Sequence, residues 1–208
     1  MPTISYAITA VNEHVELERL LDLLNQYIRP EDEIVVQLDT VATKEVENVA
    51  IKYNVATKYD YHRIWFPLNK DFASFKNNLI KHCTKDVIFQ IDADEYPTVW
   101  LLENLPSILE TNPDIDMFYI PRINTVEGIT SEHIKKWGWS YNNNRVNYPD
   151  PQSRIFKNIP EIYFINKVHE RLTGYKQFTT LPPLDECSLI HPKTIDRQEK
   201  QNNLYSTI

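Results

Sequence analysis

Two hydrophobic periods alternate along the first half of this chain. Ile4 to Ala10 is a short apolar run of strand type, closed by the turn Val11-Asn12-Glu13. Leu17, Leu20, Leu21, Leu24 and Ile28 then recur at three- and four-residue spacing, which predicts an amphipathic helix ended by Pro30. Glu33 to Leu38 reads as a second strand stopping at Asp39-Thr40, and Val46, Val49, Ala50 and Tyr53 as a second helix. Tyr59 to Phe66 predicts a third strand, closed by Pro67. Phe72, Phe75 and Leu79 mark a third helix, with Asp71 as its N-cap. A fourth apolar strand, Val87 to Ile91, runs into Asp92-Ala93-Asp94-Glu95. A helix near Val99 to Leu109 and a strand from Met117 to Ile123 follow. Four β–α alternations in succession predict an α/β fold built on a parallel, doubly wound sheet.

After Ile123 the periodicity breaks. Residues 124–150 are polar and Asn-rich, with Trp137 and Trp139, and read as one long functional loop. Ser153 to Phe156 and Ile162 to Phe164 read as short strands between Pro-rich turns. From Thr194 onward the chain is polar with weak helical character, either a surface helix or the start of a longer protein. With 208 residues and neither an internal repeat nor a linker, a single domain is expected.

Composition narrows the classes. A hydrophobic content of 42% and a charged content of 25% are those of a folded globular chain. A net charge of -7 excludes a general nucleic-acid binder, which needs clustered Lys and Arg. No apolar run approaches the ~20 residues of a membrane span. Met1-Pro2-Thr3 leads straight into a strand pattern, which predicts no secretory leader. Two cysteines without short metal-ligand spacing, Cys83 and Cys187, demand no disulfide, so a cytoplasmic location is expected. The only glycines are Gly128, Gly138 and Gly174, none near the first strand. That removes P-loop nucleotidases and the common nicotinamide-binding enzymes.

Candidate chemistry collects where strands end. Asp92 and Asp94 are two apart, so an extended backbone points both carboxylates the same way. Held together they repel unless a cation neutralises them. Mg²⁺ and Mn²⁺ take oxygen ligands of this kind, usually shared with substrate phosphates. Ligands of open α/β sheets also sit beyond the carboxyl ends of the strands. Asp39 closes the second strand and fits either a base- or ribose-binding carboxylate or a helix cap. Lys76 fits either a point charge for a diphosphate or a solvated helix residue. Glu170, in Val168-His169-Glu170, fits either a general base or a surface ion pair, and His191 either a nitrogen ligand beside the Asp pair or a structural imidazole. His14, His62, His82 and His133 read as structural. The abundance of Tyr, Trp and Asn suits a surface that handles sugars.

Together these pieces resemble the family 2 glycosyltransferases of the GT-A fold. The resemblance rests on Ile4-Ser5-Tyr6-Ala7-Ile8-Thr9-Ala10-Val11-Asn12-Glu13, the strand ending at Asp39, Lys76-Asn77, and Asp92-Ala93-Asp94-Glu95. Tyr148-Pro149-Asp150-Pro151-Gln152-Ser153-Arg154-Ile155-Phe156 and Val168-His169-Glu170 resemble a subgroup with a VHE motif. The family implies a Rossmann-like mixed sheet flanked by helices in one domain. Residues 1–123 would form the nucleotide-sugar-binding half and residues 124–208 the acceptor and catalytic half.

The implied activity is inverting transfer of a sugar, hexosyltransferase-like, from a UDP- or GDP-linked donor to a glycan or other hydroxyl acceptor. Thr9, Val11, Asn12, Asp39, Lys76, Asp92, Ala93 and Arg154 would line the donor. Asp94 and His191 would hold Mn²⁺ or Mg²⁺ in a DxD-type site, and Glu170 would be the base, with Asp150 and His169 as rivals. The Glu-Asp pair in which many family members place their base is missing here. The alternative function is a non-catalytic nucleotide-sugar or carbohydrate-binding module of the same fold. A nucleotidyltransferase is disfavoured by the lack of a Gly-rich loop after the first strand, and one domain of a longer polymer-building enzyme is a further reading.

Overall fold

The computed structural model describes residues 1–56 and 59–205. Among them the strands are β1 (Ile4–Ala10), β2 (Glu33–Asp39), β3 (Asp60–Phe66), β4 (Val87–Asp92), β5 (Tyr96–Pro97), β6 (Met117–Ile120), β7 (Arg122–Glu127), β8 (Tyr141–Asn142), β9 (Arg145–Val146), β10 (Gln152–Lys157), β11 (Tyr163–Ile165), β12 (Arg171–Thr173), β13 (Phe178–Thr180) and β14 (Leu189–Thr194). The helices are α1 (His14–Tyr27), α2 (Lys44–Ala56), α3 (Phe72–Ile80), α4 (Val99–Thr111), α5 (Ser131–Trp137) and α6 (Ile195–Tyr205).

The central sheet runs β13-β6-β10-β4-β1-β2-β3. The β4-β1-β2-β3 half is parallel, as the alternation predicts. The expectation of a wholly parallel sheet is corrected at its other half. There β10 pairs antiparallel with β4 and with β6, giving the mixed sheet that the family resemblance implies. Every residue of β1 and β2 is buried, because helices cover both faces. Ile4, Tyr6 and Ile8 point into a core with Leu17, Leu20, Leu21 and Leu24 of α1, Val46 and Ala50 of α2, and Leu101, Leu102 and Leu105 of α4. Ala7, Val35 and Ile88 face the other way, onto Ala73 and Leu79 of α3 and Phe164 and Leu172 of the β11–β12 hairpin. Each such leucine contributes about 1.5–3 kcal/mol by leaving water. Asp71 caps α3 as expected, accepting from Ser74 N at 2.9 Å.

Two further sequence expectations are corrected. The strand over Met117 to Ile123 is two strands, because Pro121 lacks an N–H for the ladder and the chain changes sheets there. β7 leaves the central sheet for a second one, ordered β5-β14-β7-β9-β8. Residues 124–150 are not one loop. They hold the rest of β7, then α5, opened by a Thr130–His133 capping box and closed by Gly138 at φ 66°, then the hairpin β8–β9. Asn143 and Asn144, at φ 48° and 60°, form that hairpin's two-residue turn. Glu170 follows β11, in the turn joining it to β12.

Candidate active site

Strand register places the first carboxylate. Thr9 of β1 lies beside Asp92 of β4, at the carboxyl edge of the parallel half. Thr9 Oγ1 and Gln90 Nε2 each donate to Asp92 Oδ1 at 2.9 Å, and Arg154 Nη2 donates to Oδ2 at 2.6 Å. Lys76 Nζ, from α3, stands 3.2 Å from Oδ1. Burial pushes the Asp92 carboxyl up, but the charges of Arg154 and Lys76 outweigh it and hold the group well below the usual carboxylate range. Arg154 also donates to Glu95 Oε1 at 2.8 Å, as Arg122 does at 2.6 Å. The half-buried Asp92 and the buried Glu95 therefore share one buried guanidinium.

Asp94 faces a different set of partners. Its Oδ2 lies 3.2 Å from His191 Nε2, 3.4 Å from Arg197 Nη2 and 4.0 Å from Lys193 Nζ. Burial again raises this carboxyl, and the His191 hydrogen bond with the charges of His191 and Lys193 brings it below its ordinary value. An oxygen from Asp94, in the turn between β4 and β5, and a nitrogen from His191 of β14 form a donor set that suits Mn²⁺ and its neighbours. Among the described residues, the one group of three or more converging His, Asp or Glu side chains lies elsewhere, at Glu33, Asp60 and His62 on the opposite edge of the sheet. There Glu33 already accepts from Ser5 Oγ, Thr84 N and Thr84 Oγ1 at 2.5–2.7 Å. That arrangement is a structural network.

Asp92, Asp94, Arg154, Glu170 and His191 line one cleft of about 560 Å³, together with Asp150 and His169. Glu170 Oε1 accepts an ion pair from Lys76 Nζ at 2.7 Å. Lys76 is 2% exposed and bridges Glu170 to Asp92, so it is neither a solvated helix residue nor a point charge free for a phosphate. Asp150 is fully engaged. Its Oδ2 accepts from Arg122 Nε and Nη2 and from Asn124 Nδ2, and its Oδ1 from Gln152 Nε2.

The other expected donor residues lie outside the lining of this cleft. Val11 N and Asn12 N donate to Glu13 Oε2 at 2.8 and 3.0 Å. Ala93 N donates to the Thr9 carbonyl. Asp39 does not cap α2. It is buried and closes its own turn, with Val41 N at 3.3 Å and Leu68 N at 3.4 Å from Oδ1.

Sequence reasoning missed Arg122 and Asn124 on β7 and Lys193 on β14, all lining the cleft, and Arg197 at the start of α6. The signal was present. Arg122 and Asn124, like His191 and Lys193, are polar residues two apart in strands, and hence share a face. Trp139, Asn147, Gln198 and Gln201 line the same cleft, on the side of the second sheet and α6. Cys83 and Cys187 are both buried thiols. No helix among the described residues is long and apolar enough to cross a membrane.

A family model described as Glycosyl transferase family 2 matches residues 5–171. Comparison with curated proteins gives no match. Among solved structures, Staphylococcus aureus TarS aligns with a TM-score of 0.65 at 16% identity, covering 92% of this chain and 37% of that one. S. aureus TarS 1-349 in complex with UDP-GlcNAc aligns with a TM-score of 0.66 at 15% identity, covering 93% of this chain and 59% of that one. At such identity the likeness speaks for the fold. The chain spans less than two thirds of either solved chain.

Proposed function

Since this chain belongs to glycosyl transferase family 2, we propose that it transfers a sugar from a nucleotide diphosphate donor to an acceptor hydroxyl in the cleft between its two sheets. The observation that carries this reading is the convergence of Asp94 and His191, 3.2 Å apart, in the cleft that also holds Asp92 and Glu170. In it, residues 1–123 bind the donor and residues 124–208 supply the acceptor side and the base. Localisation is proposed as cytoplasmic, and so is membership of the subgroup with a VHE motif, which rests on Val168-His169-Glu170.

Asp94 and His191 would hold Mn²⁺ or Mg²⁺, which when bound neutralises charge developing on the departing diphosphate. Thr9, Val11, Asn12, Asp39 and Ala93 would line the nucleoside around the ends of β1, β2 and β4. Asp92 is the anchor of this edge: with its oxygens held by Thr9, Gln90, Arg154 and Lys76, it fixes where the chain turns toward Asp94. Arg154, in the cleft lining, holds Asp92 and Glu95 and would border the donor.

Glu170 is the proposed base. Lys76 orients it through Oε1, and its other oxygen takes the acceptor proton as the hydroxyl attacks opposite the leaving group, with inversion. A positioned base typically contributes ~10²–10⁴-fold. Asp150 is unsuited to that task because four donors occupy it. His169, in the same turn at φ 54°, is the remaining rival.

Donor hydrolysis tests the reading. UDP- and GDP-sugars are incubated with the protein, with and without Mn²⁺, and release of nucleoside diphosphate is followed. Release that needs both protein and Mn²⁺ supports transfer chemistry. Binding seen by thermal shift without release from any donor, acceptor mixtures included, identifies a binding module of the same fold instead.

A further inference from the structure

His191, the nitrogen ligand proposed above, is held from behind, and this step rests on the transfer reading. Asn124 of β7 and His191 of β14 are register partners on adjacent parallel strands. Asn124 Oδ1 lies 2.7 Å from His191 Nδ1. Either end of an amide can face an imidazole nitrogen, and the choice decides which ring nitrogen carries the proton. Here the far end of the amide decides it. Asn124 Nδ2 stands 2.6 Å from Asp150 Oδ2 and 3.4 Å from the Val146 carbonyl, both acceptors, so that end must be the donor. Oδ1 is then the acceptor, and His191 Nδ1 carries a hydrogen. Asp150 is fixed in turn by two Arg122 nitrogens, at 2.9 and 2.7 Å, and by Gln152.

The consequence appears on the other side of the ring. In the neutral ring, Nε2 of that tautomer presents its lone pair to Asp94 Oδ2, 3.2 Å away, in place of the hydrogen bond that a protonated ring donates there. A lone pair facing a carboxylate is a geometry that a shared cation satisfies, and metal-bound histidines characteristically donate their other N–H to a fixed acceptor. We propose that Asn124, held by Asp150, is a positioning residue that fixes His191 in its Nδ1–H tautomer and turns Nε2 toward Asp94 as the second protein ligand of a divalent cation. Arg122, Asp150 and Asn124 thus form a relay whose product is the orientation of one imidazole. It also gives Asp150 a task other than taking the acceptor proton.

The test combines a spectroscopic signature with a binding measurement. The ¹⁵N resonances of His191 are recorded in the metal-free protein at mildly alkaline pH, and Mn²⁺ affinity is measured by calorimetry for the parent and for Asn124→Ala. The expected result is the Nδ1–H tautomer in the parent, a mixture of tautomers in Asn124→Ala, and Mn²⁺ binding weakened by ~10–100-fold. An Nε2–H tautomer in the parent, or unchanged tautomer and affinity in a folded Asn124→Ala, overturns the role of Asn124. If Asn124→Ala fails to fold, the parent's tautomer decides alone. A parent that shows the Nδ1–H tautomer yet binds no Mn²⁺, with or without UDP, overturns the metal part of the transfer reading and the ligand role with it.

Discussion

The Lys76 ammonium lies 2.7 Å from the Glu170 carboxylate and 3.2 Å from that of Asp92, with its own side chain almost wholly out of water. One cation from α3 therefore joins the end of a core strand to a turn far along the chain. Replacing it, as in Lys76→Met, leaves both carboxylates without that partner. Removing one member of a buried pair typically costs ~3–5 kcal/mol. Asp92 and Glu170 keep some contact with water, at 30% and 20% exposure, so about 2–3 kcal/mol is expected here. Urea denaturation measures it, and a variant as stable as the parent would show the bridge to be idle.

Glu170→Gln preserves shape and removes the proton acceptor. Turnover should fall by roughly 10²–10⁴-fold while nucleotide affinity stays at the parent value. Steady-state kinetics beside UDP calorimetry separate the two quantities. Full turnover in this variant would pass the role to His169.

Asp94→Asn should abolish Mn²⁺ binding, because an amide is a far weaker ligand for a hard cation than a carboxylate. The fold should persist, since Asp92 and Glu95 keep the Arg154 guanidinium they share. Calorimetric titration with Mn²⁺ reads the first claim and circular dichroism the second. Parent-like affinity would remove Asp94 from the ligand set.

Stability should depend on pH with a definite sign. Asp92, Asp94 and Glu95 all titrate below their ordinary values in the folded chain, since their cationic partners outweigh the effect of burial. In the unfolded chain they titrate at about 3.9–4.3. Below that range the unfolded state binds more protons than the native one, so stability falls as pH drops further. Above it these three groups leave stability flat. Denaturant midpoints measured from neutral to acid pH check this, and a rise on acidification would contradict it.

Much of this arrangement was legible in the residues alone. Apolar runs separated by helical stripes specify β1 to β4 with their helices, because burial on both faces demands an uninterrupted apolar strand. The same logic puts Asp39 and Asp92 at strand ends. The Asn143-Asn144 turn and the Thr130 capping box were also written in the sequence, within a stretch whose polarity masked them.

Partnerships across the sheets were not legible. Asn124 and His191 meet only because β7 and β14, distant in sequence, are neighbours in one sheet, and register is a property of the assembled ladder. Lys76 meets Glu170 because α3 packs against the β11–β12 hairpin. Local pattern thus determined which side chains end the core strands, while the assembled sheets decided which of them line the cleft: Asp92 does and Asp39 does not. Tertiary structure decided which partners each of them meets: Asp150 sits among four donors, and Asp94 among His191, Arg197 and Lys193.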